Sequence, residues 1–382
     1  MIKYTWEENN RCLQCKRRYC EQGCPVSTPI KEVIGLLRQN KIKEAGELLF
    51  NNNPLSAITG LICPHEEFCE GSCILNRRGK PIRIGAIENY VSDYYLNIID
   101  FKPKIDSNKK IAIIGSGPAG LTMALILARK GYDITIFESH DKIGGVLRYG
   151  IPEFRLPKSI IDRYHEILIN MGVKIRPNTL IGPVISLDDL FRDGYKAIFV
   201  ATGTWKPRKL NIPGESLGHV YYAIDYLRSP ETHNMGDKVC VIGGGNVAID
   251  CARTAIRKGA KEVTLYYRKE EEDMSSSKFE INCARLDGVN FEFNKIPQEI
   301  RDNCVNFVER EDKGIKKCHE ADSVIISISQ EPKKNIVSST KGIKLNRLGL
   351  VVIDETGRTT KEGVFASGDV VTGAKTVVEA VA

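Results

Sequence analysis

The stretch Ile111-Ala112-Ile113-Ile114-Gly115-Ser116-Gly117-Pro118-Ala119-Gly120 decides the fold. Four apolar residues of strand length run straight into G-x-G-x-x-G, and a helical pattern over 121–130 follows. A second β-rich run at 133–138 closes on Glu138. Each glycine has a separate physical task. Gly115 permits a tight turn, Gly117 lets the backbone approach a pyrophosphate, and Gly120 allows close helix–strand packing. Pro118 and Ala119 open the helix, whose free N–H groups and partial positive charge suit phosphates. Glu138 is placed to accept from a ribose hydroxyl. A glycine turn in a generic α/β protein is the bland alternative, and the strand–loop–helix–strand context weighs against it.

The unit recurs. Val239-Cys240-Val241-Ile242-Gly243-Gly244-Gly245-Asn246-Val247-Ala248 is another strand and glycine loop, with alanine at the third fingerprint position. Its second strand ends on Tyr266-Tyr267-Arg268-Lys269. A carboxylate at that point would repel the 2′-phosphate of NADP, whereas Arg268 and Lys269 can bind it; the alternative is a solvated surface arginine. Two such units 128 residues apart predict one FAD site and one NADPH site, with Gly244, Gly245, Asn246 and Val247 at the second. Ala201-Thr202-Gly203 closes a β-run where the chain can cross between domains. Gly363 to Asp369 supplies a late strand that returns the chain to the flavin through Gly368 and Asp369.

Outward from these units the chain alternates short β-runs (197–201, 262–267, 323–327, 364–366) with helical segments, which indicates parallel α/β architecture. The first hundred residues differ. They hold seven of the twelve cysteines, and Ile30, Val33, Ile34, Leu37, Leu48 and Leu49 are spaced for one buried helical face. A polar stretch from Lys102 to Lys110 reads as the linker. Expected domains are therefore 1–107, a helical iron–sulfur domain; 108–225 with 330–382, the FAD domain; and 226–329, the NADPH domain.

Cys12-x2-Cys15-x4-Cys20-x3-Cys24-Pro25 is close to the bacterial ferredoxin pattern, in which the fourth cysteine ligates the other cluster. Cys12, Cys15 and Cys20 then begin one cluster and Cys24 belongs to a second. Cys63, Cys69 and Cys73 bring the thiolates to seven, one short of two cubanes, so the eighth ligand is another residue type. Zinc sites come as evenly spaced close pairs, and disulfides would leave an odd cysteine in a reducing compartment. Cys240, Cys251, Cys283, Cys304 and Cys318 are scattered singly and read as small buried apolar residues.

At 382 residues, 42% hydrophobic, 27% charged and a formal net charge of +7, the chain has the composition of a multidomain globular protein, with no nucleic-acid signature. The N-terminus has no signal-peptide core and no apolar run reaches membrane length, so a cytoplasmic protein is expected, without membrane contact.

The cysteine pattern, both glycine loops and the stretch Gly144-Gly145-Val146 to Arg155-Leu156-Pro157-Lys158 together resemble the small subunit of NADPH-dependent glutamate synthase. The same module resembles the N-terminal half of dihydropyrimidine dehydrogenase and the large subunit of electron-bifurcating ferredoxin–NADP oxidoreductase. The resemblance implies a helical two-cluster domain before glutathione-reductase-like tandem FAD and NAD(P) domains. It implies two [4Fe-4S] clusters, one on Cys12, Cys15, Cys20 and Cys73, the other on Cys24, Cys63, Cys69 and a Glu or Gln. Glu88 matches that last place, with Asn89 as a second candidate; a surface helix carboxylate is the alternative for Glu88. Gly145 and Arg155 would contact flavin, and the closing flavin segment would run from Gly368 through Thr376. Two departures stand out. Ser329 replaces a glycine in Ile328-Ser329-Gln330, which works against close backbone approach to the nicotinamide. Val378–Ala382 stops inside what should be the last helix.

The implied chemistry is hydride transfer from NADPH to FAD and single-electron release through the clusters, with no side chain acting as acid, base or nucleophile. The acceptor is expected to be a catalytic partner subunit or a ferredoxin-type protein. A stand-alone or bifurcating NADPH–ferredoxin oxidoreductase, the electron-input part of a dihydropyrimidine dehydrogenase, and a non-enzymatic cluster-binding subunit are the alternatives.

Overall fold

A computed structural model describes residues 2–102, 106–310, 316–333, 336 and 339–382. Two compact units emerge, one of residues 1–147, 153–204 and 332–382, the other of 148–152 and 205–331.

The first unit begins with a helical domain. Helix Ile30–Arg38 buries the four residues that its period selects, Ile30, Val33, Ile34 and Leu37. Helix Ile42–Asn52 buries Ala45, Gly46, Leu49 and Phe50. Ile42–Asn52 packs on both Ile30–Arg38 and Ile84–Ile98, and the small residue Gly46 lets the last of these close in, since a Cβ there would lie 2.4 Å from Tyr95. This domain joins the α/β part through a buried hydrogen bond, Tyr164 Oη to the Pro54 carbonyl at 2.7 Å.

The α/β part is a five-stranded parallel sheet in the order 364–366, 197–200, 106–114, 132–137, 174–176. The central strand is longer than its apolar run. Asp106–Ile114 reaches back into the polar stretch expected as linker, and a bulge between Asp106 and Lys110 absorbs the extra residues. Residues 103–105 of that stretch lie outside the described residues. Strand order reverses beside the central strand, so its carboxyl end opens the crevice that doubly wound sheets use for ligands.

The second unit repeats the plan, in the order 220–222, 323–326, 238–242, 262–266, 290–292, all parallel. It starts at Trp205, ahead of residue 226, because Val220–Tyr222 supplies the edge strand. A three-stranded antiparallel sheet of 295–301, 304–309 and 316–320 is added to it. Two of its residues correct the sequence reading. Cys304 and Cys318, expected as unrelated buried cysteines, are joined in a disulfide across neighbouring strands, a pairing that fourteen residues of separation conceal. Cys240 and Cys251 are buried as expected, and Cys283 is half-buried.

Candidate flavin, nicotinamide and cluster sites

The first glycine loop is built as its spacing requires. Gly115 takes φ +95°, and a Cβ there would lie 2.5 Å from the Ala201 carbonyl oxygen. Gly120 has no room either, with the Gly115 carbonyl 2.1 Å from its Cβ position. Gly117 is the opposite case. It caps helix Pro118–Arg129, and nothing lies within 4 Å of its Cβ position. That open space over the N–H groups of Gly117, Ala119 and Gly120, with Pro118 carrying none, fits the pyrophosphate of FAD.

Glu138 is buried at the end of strand Tyr132–Phe137, where the fingerprint places it. Ser116 N–H and hydroxyl donate to its Oε2 at 2.9 and 2.5 Å, and His140 N–H donates to Oε1 at 2.8 Å. Burial alone would raise this carboxyl. The hydrogen bonds from His140 and Ser116 outweigh it and hold the group below the usual carboxylate range. Glu138 therefore braces the loop from within. Sequence reasoning missed Ser116 and His140 in this role; a hydroxyl inside G-x-G was the available signal.

Other flavin candidates converge on the same loop. Gly145 lies against Gly117, its Cβ position 2.8 Å from the Gly117 Cα, and Gly144 N–H donates to the Ser116 carbonyl. Gly368 returns to the helix start, its Cβ position 3.1 Å from the Ala119 Cβ. Burial pushes the neighbouring Asp369 carboxyl up to about 6, with Lys375 N–H opposing. Gly203 takes φ +66° just after the strand Ala197–Val200. Arg155 is half-buried. Thr376 has a structural task, because its hydroxyl is engaged in a capping box with Glu379 at the start of Val377–Val381.

In the second unit, Gly243 sits where a Cβ would meet the Ser327 carbonyl oxygen at 2.2 Å, and the Tyr267 ring covers Gly244. Ser275 N–H and Ser276 hydroxyl donate to the Gly244 carbonyl. Gly245 caps Asn246–Arg257, and Val247 packs on the core. Asn246 Oδ1 is buried at the helix start without a partner among the described residues, an orphaned polar atom beside the second glycine loop. After the second strand the two cations diverge. Lys269 pairs with Asp273 at 3.4 Å, whereas Arg268 is exposed and has no partner among the described residues. The acidic run behind it is largely occupied, since Glu270 accepts from Asn294 and Glu271 pairs with Arg285. This donor set fits a 2′-phosphorylated nicotinamide nucleotide.

The helical domain brings the cysteines into two groups. Cys12, Cys15, Cys20 and Cys73 line one pocket. Burial, then the nearness of Cys73 and Glu21, pushes the Cys20 thiol up to about 12. Burial and then the nearby Glu88 carboxyl raise the Cys63 and Cys69 thiols, and Cys24 contacts Thr28 at 3.2 Å, which lines one pocket with Glu88. Glu88 is buried, its Oε1 accepts from the Thr59 hydroxyl at 2.9 Å, and burial pushes its carboxyl up to about 7 against that bond. Asn89 instead donates to the Ala57 carbonyl. Burial raises the thiols of Cys12, Cys20, Cys63 and Cys69, and a bound iron–sulfur cluster would favour their thiolate forms. Among the described residues no three donors gather tightly enough for one metal ion. A cubane takes each ligand on a different iron and so spreads its ligands wider than a single ion does. Thr59 and Arg38, whose guanidinium donates to the Asn9 and Cys12 carbonyls, were not foreseen.

Two dinucleotide folds in tandem behind a cysteine-rich helical domain define a flavin- and nicotinamide-dependent oxidoreductase. Residues 109–382 match the family described as pyridine nucleotide-disulphide oxidoreductase, and residues 2–98 match the dihydropyrimidine dehydrogenase domain II, 4Fe-4S cluster family. The chain is 35% identical to the glutamate synthase [NADPH] small chain of Escherichia coli, over 98% of this chain and 88% of that one. For the protein of that name in Halomonas elongata the identity is 36%, over 97% and 87%. The thioredoxin reductase of T. acidophilum shares the fold, with a TM-score of 0.58 and 22% identity over 72% of this chain and 94% of that one. The chain belongs to the pyridine nucleotide-disulphide oxidoreductase family, in the group of the glutamate synthase small chain. It is an NAD(P)H-dependent flavin oxidoreductase with a 4Fe-4S domain. Among the described residues no helix is long and apolar enough to cross a membrane.

Proposed function

We propose that this chain collects reducing equivalents from NADPH at its second glycine loop and delivers them singly to an acceptor protein from its helical domain. When bound, FAD supplies a centre that takes up hydride and releases single electrons, and two [4Fe-4S] clusters supply the onward carriers. The chain's own residues bind and orient. Gly244, Gly245, Asn246 and Val247 hold the nucleotide phosphates, and Arg268, with Lys269 beside it, selects the 2′-phosphate. Gly115, Gly117, Pro118, Ala119, Gly120, Glu138, Gly145, Arg155, Gly203, Gly368, Asp369 and Thr376 form the flavin cradle.

The observation that carries this proposal is the grouping of seven cysteines with Glu88. Cys12, Cys15, Cys20 and Cys73 form one set, Cys24, Cys63, Cys69 and Glu88 the other. The second set is the one toward the α/β part, because the helix that ends before Cys63, Ser56–Ile62, packs on Val377–Val381. Electrons leaving the flavin side therefore meet the Glu88 set first. The acceptor is a separate polypeptide, a catalytic subunit as for a glutamate synthase small chain or a ferredoxin-type protein.

The test is metal and flavin analysis after anaerobic purification, on the native chain and on Glu88→Ala. Two [4Fe-4S] clusters and one FAD per chain are expected in the native protein. Glu88→Ala should lose or perturb only one cluster while NADPH still bleaches the flavin. Zinc in place of iron would overturn the proposal, and unchanged iron and EPR spectra in Glu88→Ala would remove that residue from the site.

A further inference from the structure

The segments that carry the outer cysteine set have an unusual charge. Residues 11–19 and 74–83 hold eight Lys and Arg and no Asp or Glu. The two segments lie side by side: the Arg11 guanidinium donates to the Lys80 carbonyl at 2.7 Å, and Cys12, Cys15, Cys20 and Cys73 line one pocket between them. Some of these cations have internal tasks. Arg11 pairs with Glu8, Arg18 with Glu21 and Glu32, Arg83 approaches Glu70, and Arg17 lies over the Tyr19 ring. Lys16, Arg77, Arg78 and Lys80 do not: all four are exposed, and none has a carboxylate partner among the described residues. Beside Cys12, Leu13 is 60% exposed. A small apolar point thus sits within a rim of solvent-facing cations, next to cysteines that are themselves only partly covered.

We infer that this face is the electron exit of the protein, and that it docks a small, diffusible carrier with an acidic surface and a one-electron centre. The inference rests on the electron-transfer function proposed above and adds where the electrons leave and to what kind of partner. Unpaired cations are hydrated and carry a long-range field, which raises encounter rates with an oppositely charged partner and fixes its orientation. Interfaces of permanent subunits are large and apolar, whereas electron-transfer encounters are small, polar and weak. One exposed leucine among cations has the second composition. Cations serving only to offset the thiolates would not need to face solvent.

The experiment uses the holoenzyme with an acidic plant-type [2Fe-2S] ferredoxin as probe. Binding of the oxidised ferredoxin is measured first, then its reduction after NADPH is added, each across a range of ionic strength. The native protein should bind and reduce the probe at low salt, and both should weaken steeply as salt rises. Arg77→Glu with Arg78→Glu should lower the second-order reduction rate by roughly tenfold or more at low salt. Lys41→Glu with Lys43→Glu, an equal charge change on exposed residues of the same domain, should leave it unchanged. Flavin bleaching and iron content should match the native protein in both double variants. Equal losses in the two variants, or rates and affinity indifferent to salt, would overturn the inference, as would recovery of the chain in a stable complex that survives high salt. Should NADPH fail to bleach the flavin, the proposed function falls, and the binding arm still decides whether this face recognises an acidic protein.

Discussion

In the first glycine loop the residue closing the second strand turns inward; in the second it turns out. Glu138 is buried and tied by Ser116 and His140, so the loop is braced by its own carboxylate. Arg268 is exposed and unpartnered among the described residues, so its charge is available to a ligand. The strand, the turn and the helix N-terminus are the same device in both loops. The two loops differ in one residue type and in which side of the loop its charge faces.

Replacing Gly117 breaks this comparison most severely. Its φ is −69° and its Cβ position is empty, so a side chain costs the protein itself little. Gly117→Val should keep the melting behaviour of the flavin-free chain within about 0.5 kcal/mol. Flavin occupancy should fall tenfold or more, about 1.4 kcal/mol or greater in binding. Full flavin content in this variant would mean that the space over the first loop is not where the pyrophosphate goes.

Arg268→Ala comes next. Loss of a charge-assisted contact to a 2′-phosphate costs about 1.5–3 kcal/mol, tenfold to a hundredfold in NADPH affinity, with NADH almost unaffected. Equal loss of both coenzymes would make Arg268 structural. Lys269→Ala should do less, since Lys269 is already paired with Asp273.

Glu138→Gln probes the inward charge. At neutral pH the variant should be less stable by about 1–3 kcal/mol, because charge-assisted bonds to Ser116 and His140 are weakened. The folded carboxyl lies below its ordinary 4.5. Its contribution is therefore full above that value and is lost as pH falls through the folded value. Denaturant melts from pH 7 downward should show the gap between native and variant closing only below about 4.5; a gap constant with pH would contradict the brace.

The smallest effect is at Ser329, where the second unit demands a glycine-like backbone from a serine. Ser329 takes φ +90°, and its carbonyl accepts from Arg208 N–H at 3.1 Å. Ser329→Gly should relieve this strain and gain up to about 1 kcal/mol, reduced by the extra freedom of glycine in the unfolded chain. The sequence pattern flagged this position because a glycine was missing; the backbone keeps the glycine conformation regardless.

Both fingerprints were legible because a tight turn, a close approach and a helix start each demand a particular small residue at a fixed offset. The four buried positions of Ile30–Arg38 were legible through their period. What stayed hidden depends on contacts distant in sequence. Thr59 reaches Glu88 across twenty-nine residues, and Tyr164 reaches Pro54 across one hundred and ten. The Cys304–Cys318 pair arises only from the register of two antiparallel strands. Val220–Tyr222 was missed as a strand because three residues carry no period of their own.

In the proposed function, hydride enters at the α/β domains and single electrons leave through the cysteine domain. Its most direct test is an anaerobic NADPH titration of the holoenzyme, following flavin absorbance and cluster EPR in the same samples. The native chain should bleach and then develop reduced-cluster signals. Cys24→Ser should still bleach, while the set built on Cys12, Cys15, Cys20 and Cys73 stays oxidised or is reduced far more slowly. Flavin that bleaches with no cluster signal in the native chain, or unaltered cluster reduction in Cys24→Ser, would contradict it.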